Sequence, residues 1–151
     1  MHKSIFRAGK RIENISIKEA RKYFVSEYLS IKWDNLADIY IDYYTNGEKI
    51  YCLKIYLSLY SEEYEFAILY KDKTDGRNKT VQWFPVKDEN TLTEWRECRE
   101  DLYARKGTFM SPEETWLIVE EFLKTGQMTD KIRWIKGEDL PEPKTPYPGG
   151  F

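Results

Sequence analysis

The sequence predicts an α+β fold: a mainly antiparallel sheet of four to six strands, with an N-terminal helix and two C-terminal-half helices packed on one face. Three observations predict it. Ser16, Thr91 and Ser111 each stand three residues before a glutamate, the spacing at which a hydroxyl and a carboxylate cap a helix start reciprocally. Apolar residues alternate with period two through much of residues 39–70. The resulting order is helix, four strands, two helices, strand.

Residues 1–14 are basic and weakly patterned, an arm or a first short strand. Beyond Ser16, the residues Ile17, Ala20, Phe24 and Tyr28 share one face of a helix expected to reach about Leu29. Three strands follow, carried by Ile39, Ile41 and Tyr43, by Leu53, Ile55, Leu57 and Leu59, and by Tyr64, Phe66, Ile68 and Tyr70. Asn46-Gly47 signals a tight hairpin between the first two, and Ser61-Glu62 marks the next turn. After a turn at Asp75-Gly76, Thr80–Phe84 reads as a fourth strand that Pro85 stops or pushes to an edge. Thr91 and Glu94 open a helix with Trp95, Cys98 and Leu102 on one face, ended near Gly107.

The stretch SPEETWLIVEEFLKTG is a complete helix: Ser111 at the cap, Pro112 in the first position, an apolar stripe of Trp116, Val119, Phe122 and Leu123, and Gly126 to end it. Ile132 and Trp134 then share one side of a last strand. Residues 1–136 are expected to form a single α+β domain; residues 137–151 are a Pro/Gly-rich tail expected to be extended or mobile, either a loose end or a peptide that docks.

A chain of 151 residues buries roughly 70% of its extended surface, enough for one real core. Its net charge of -2 provides no basic field to grip a polyanion, so nucleic acid is not expected as a direct partner. Cys52 and Cys98 lack metal-binding spacing and read as buried reduced thiols. No apolar run approaches membrane length and no signal peptide stands at the N-terminus, which predicts a cytoplasmic, membrane-free protein, expected to be a monomer.

His2 is the only histidine and lies in an unpatterned segment, so a histidine base for a Ser or Cys nucleophile has no support. Phosphate-loop, dinucleotide and zinc-protease motifs are absent, and the paired glutamates sit where helices face water. These features predict no enzyme, no cofactor and no metal. The strands' second face, with Tyr40, Asp42, Tyr44, Lys54, Tyr56, Ser58 and Glu65, leaves two readings open. It is a half-wet surface tolerant of tyrosine, or a protein-docking surface whose rigid, polar-tipped rings supply interface energy.

MSPEETWLIVEEFLKTGQMTDKIRW resembles the C-terminal signature of immunity protein family one of bacterial polymorphic toxin systems. The shared pattern is a helix begun at a Ser/Pro cap, then an aromatic, a glycine, a hydrophobic residue and a tryptophan two positions later: Phe122, Gly126, Ile132 and Trp134. The likeness covers about residues 108–136; Gln127-Met128-Thr129-Asp130 replaces a turn in which proline is expected, and the proline-rich tail is additional.

The resemblance implies a non-enzymatic antitoxin that binds a cognate secreted toxin domain, a nucleic-acid-targeting deaminase or nuclease among the candidates, and blocks its active site or substrate groove. The expected contact residues are Tyr40, Tyr44 and Tyr56 as anchors, with Asp42, Glu62, Glu63 and Glu65 as charges matching a basic cleft. Asp38, Glu138, Asp139 and Glu142 are further acidic candidates, while Trp116 and Trp134 are expected to pack internally. Two other classes compete: an adaptor that binds a peptide along a sheet edge, and a small enzyme using tyrosine and carboxylates.

Overall fold

Alternation becomes a sheet with two unlike faces. The computed structural model describes residues 2–26, 38–58, 65–73, 80–99 and 101–149. Within these, β3 (Ile39–Thr45), β4 (Glu48–Leu57) and β5 (Phe66–Asp72) pair antiparallel in sequence order. Asn46 (φ 53°) and Gly47 (φ 84°) supply the two left-handed residues of the hairpin turn between β3 and β4. The predicted turns at Ser61-Glu62 and Asp75-Gly76 lie outside the described residues.

The N-terminal segment is more than an arm. It forms a hairpin of β1 (His2–Arg7) and β2 (Arg11–Glu13), and β1 joins the sheet beside β3 with Phe6 opposite Ile41. At the other end β6 (Val81–Val86) pairs with β10 (Arg133–Lys136), giving the order β2-β1-β3-β4-β5-β6-β10. The short β9 (Phe109–Met110) adds to β5 at Phe66 and Ala67, so the sheet has eight strands, beyond the four to six expected. Strands of two to four residues are too brief to show a period. Pro85 stays within β6, opposite Trp134 and past the last β6 residue that β5 pairs, where its missing N–H costs the β5 ladder nothing.

One face carries the helices. Ser16 caps α1 (Ile17–Arg21), which continues as a π-helical turn over Lys22–Ser26; the rest of the predicted helix is not described. α2 (Pro112–Thr125) has the full capping box of Ser111 and Glu114 and ends at Gly126 in the left-handed conformation. Ala20, Phe24, Trp116, Val119 and Phe122 close over Phe6, Ile41, Leu53, Ile55 and Phe66 to make the main core.

The predicted helix beginning at Thr91 is not there. Asp88, not Thr91, caps a 3₁₀ turn at Glu89–Thr91, and the chain then forms a hairpin of β7 (Trp95–Arg99) and β8 (Leu102–Arg105). The hairpin lies on the sheet's opposite face, where Cys98, Leu102 and Ala104 meet Ala67, Phe109 and Tyr56. Among the described residues only one C-terminal-half helix therefore packs on the core face, and the second face is partly covered. Trp95, Cys98 and Leu102 have helical spacing by coincidence: Asp101, at φ 59°, turns the chain between the last two.

The tail docks. Beyond the 3₁₀ turn at Gly137–Asp139, Arg105 donates to the Pro141 carbonyl at 2.7 Å and Trp95 Nε1 to that of Thr145 at 2.9 Å. The Tyr147 hydroxyl accepts from the Tyr103 N–H at 3.1 Å and donates to the Asp101 carbonyl at 3.3 Å. Both cysteines are buried thiols, and among the described residues no helix is long and apolar enough to cross a membrane.

Candidate binding face

Strand register decides what the second face presents. Across β3, β4 and β5 it aligns Tyr40 with Lys54 and Leu69, and Asp42 with Cys52 and Lys71. Tyr56, next along β4 on this face, stands opposite Ala67. Tyr40 and Tyr56 meet edge to face with centroids 6.4 Å apart, and Lys54 Nζ stands 5.5 Å from the centre of the Tyr40 ring. The Tyr40 hydroxyl donates to Asp38 at 2.8 Å, which fixes the ring's tilt. Two aromatic residues and an ammonium thus form one patch on central strands.

The carboxylates serve different ends from those expected. Asp42 is buried, 3% exposed, and ion-paired to Arg7, with Lys49 Nζ at 3.7 Å. Its neighbour Cys52 has a thiol pushed up to about 12, first by burial and then by the nearby Asp42 carboxylate, so it is no ready nucleophile. Glu65 pairs with Arg96 at 3.1 Å, and Arg96 lies over the Phe109 ring at 4.5 Å, so this carboxylate ties the β7–β8 hairpin to the sheet. Tyr44 stands opposite Lys3, past a register shift, and its hydroxyl adds to Asp42 in stabilising the Arg7 guanidinium. Glu62 and Glu63 lie outside the described residues. Glu138, Asp139 and Glu142 are exposed beyond β10.

The structure therefore brings Tyr40 and Tyr56 together and leaves Glu65 with the hairpin. Tyr56 has a second role: its ring packs with the hairpin cluster, and burial foremost, then Tyr40, pushes its hydroxyl pKa well up. Sequence reasoning placed Lys54 on this face but missed its pairing with Lys71. Burial, then the neighbouring Lys54 ammonium, lowers the Lys71 pKa. The signal was present in the alternation, which puts Lys54 and Lys71 on one face once strand order is known.

Beside this patch, between the second face and the hairpin, lies a cavity of about 300 Å3 lined by Tyr56, Ala67, Leu69, Phe84, Leu102 and Leu140 among others. His2 is away from it, stacked on Tyr43 at 5.6 Å and 3.3 Å from the Thr45 hydroxyl. Chemically the face can bind: it offers rings with polar tips, two cations and an apolar hollow. Compared with known protein families, with curated proteins and with solved structures, the chain finds no match.

Proposed function

We propose that the chain is a binding protein of the immunity type, which seats a cognate toxin domain on the second face of its sheet and blocks that domain's active site or substrate groove. The observation that carries the reading is the Tyr40–Tyr56 pair braced by Lys54 and Asp38. Such rings lose little freedom on binding and contribute both apolar area and a hydroxyl, which makes them effective interface anchors. Their position on central strands keeps the patch rigid.

The likeness over about residues 108–136 is what points to a toxin domain as the partner. Its residues build the scaffold: Phe122 and Trp134 pack against Tyr70, and Gly126 lies under Tyr43. The electrostatic match is of mixed sign. Asp42 and Glu65 are neutralised within the chain, so Lys54 and Lys71 meet carboxylates on the partner. A deaminase or nuclease domain with a basic groove meets the exposed Glu138, Asp139 and Glu142.

Co-expression with the C-terminal domain of the toxin encoded by the neighbouring gene tests this. The expected result is rescued growth and a one-to-one complex that Tyr40→Ala/Lys54→Ala weakens about tenfold or more, while Glu113→Ala on α2 leaves it unchanged. Full affinity in the double variant sinks the assigned face. No complex with the folded protein sinks the immunity reading.

A further inference from the structure

We propose that the side of the β7–β8 hairpin turned away from the sheet is a recognition groove for an extended proline-rich segment of another protein, a groove that the chain's own tail fills until that partner displaces it. Register gives the hairpin two unlike sides. Trp95 pairs with Arg105 and Glu97 with Tyr103, and alternation puts these four on one side. Arg96, Cys98 and Ala104 take the other, against Phe109 and Ala67 of the sheet.

The outer side reads a peptide backbone. Trp95 Nε1 donates to the Thr145 carbonyl at 2.9 Å, Arg105 to that of Pro141 at 2.7 Å, and the Thr93 carbonyl accepts from the Lys144 N–H at 2.9 Å. Arg105 is itself positioned, 4.7 Å above the Trp95 ring and bonded at 2.8 Å to the Leu92 carbonyl. Three side-chain features then narrow the choice of segment. Lys144 Nζ stands 3.9 Å from Glu94, and the Tyr147 ring meets Trp95 and Tyr103 edge to face, with centroids 5.2 and 6.0 Å away. At Gly149 a β-carbon would fall 2.5 Å from the Asp101 carbonyl oxygen, so the groove calls for glycine there. The pattern it selects is Pro-x-x-Lys-x-x-Tyr-x-Gly.

Proline content sets the class of ligand. Pro141, Pro143, Pro146 and Pro148 fix their own φ and bias Leu140, Glu142, Thr145 and Tyr147 before them toward extended backbone. Leu140 enters the run at φ -60° and ψ 137°, close to polyproline geometry. Such a segment loses little freedom on docking, which is why aromatic grooves take proline-rich ligands.

The tail's hold on the groove is shallow. Its bonds to Trp95 and Tyr103 are exposed at the surface, and Tyr147 remains 41% exposed. Contacts of this kind open at low free energy. The three main-chain bonds go to groups that any matching segment carries, so the groove does not require its ligand to be tethered. Tethering gives the tail an effective concentration in the millimolar range, and a partner's segment binds against that competition.

Fluorescence polarisation of a labelled peptide of residues 140–149 against the full chain tests the proposal. Tyr147→Ala in the chain loosens the tethered tail and leaves the groove intact, so the peptide is expected to bind this variant about tenfold or more tightly than the parent. Adding Trp95→Phe, which keeps a ring and removes the Nε1 donor, weakens that binding about fivefold. If Tyr147→Ala does not fold, Lys144→Pro, which removes the N–H donated to Thr93, frees the groove instead. No binding to the folded variant at millimolar peptide overturns the proposal, and so does equal binding of a peptide of the same composition in shuffled order. A parent chain that runs as a dimer by exchanging tails assigns the groove to a second copy and overturns the foreign partner. None of these outcomes depends on the toxin complex, which Tyr40→Ala/Lys54→Ala tests on the sheet.

Discussion

Gly126 lies directly beneath the ring of Tyr43: a β-carbon on this glycine falls 2.6 Å from Tyr43 Cδ1. Its backbone is also left-handed, at φ 75°. Gly126→Ala therefore meets both steric and dihedral penalties, whereas Gly47→Ala, at φ 84° with nothing within 4 Å, meets only the second. Urea unfolding should show a loss of about 2–4 kcal/mol at Gly126 and about 1 kcal/mol at Gly47. Similar losses at the two sites count against the packing role of Gly126.

Arg7 and Asp42 form an unequal ion pair, their side chains 41% and 4% exposed. Removing Arg7 leaves a buried carboxylate whose remaining cation among the described residues is Lys49 at 3.7 Å, while removing the charge of Asp42 leaves an arginine that water can solvate. Arg7→Met should cost about 1–3 kcal/mol and Asp42→Asn about 1 kcal/mol or less, read from urea midpoints. The reverse order refutes this account of the pair.

At the start of α2, burial pushes the Glu114 carboxyl up, but hydrogen bonds from Lys87 and from the Ser111 N–H and hydroxyl hold it below the ordinary value of 4.5. A carboxyl lowered on folding stabilises the fold above its unfolded pKa and loses that contribution as pH falls through the folded one. Glu114→Gln should thus cost about 0.5–1 kcal/mol near neutral pH, with the difference from the parent shrinking in acid below about pH 4. A difference constant with pH removes the charge from the explanation.

The tail's docking depends on the hydroxyl of Tyr147, which bridges Tyr103 and Asp101. Tyr147→Phe keeps the ring against Trp95, with centroids 5.2 Å apart, but leaves the Tyr103 N–H without this acceptor. Hydrogen exchange at Tyr103 should quicken about fivefold or more, with little change in global unfolding. Unaltered exchange there means that other contacts suffice to hold the tail.

Strands long enough to repeat were legible in the sequence: β3, β4 and β5 bury alternate residues such as Ile41, Leu53 and Ile68 where period two puts them. α2 was legible to its cap and stop because local chemistry alone decides both. The β7–β8 hairpin was not, because Thr91 and Glu94 imitate a capping box while the true hydrogen bond runs from the Asn90 N–H to Asp88. What forces the extended form is tertiary: Cys98 and Leu102 reach the apolar side of β5 only from a hairpin. The candidate face was half legible. Alternation collected Tyr40, Asp42 and Tyr56 on one side, but Asp42's fate depended on Arg7, in a strand the weak N-terminal pattern left undecided. Glu65's partner Arg96 lay in the misread segment.

The two outermost strands of the sheet, β2 with three residues and β10 with four, bear Arg11, Glu13, Arg133 and Lys136. A would-be fibril needs a long, uncharged border on which to add one chain after another, and these borders give it a handful of main-chain groups ringed by charge. Among the described residues, crowded copies of the folded protein therefore find little border on which to join edge to edge into one longer sheet.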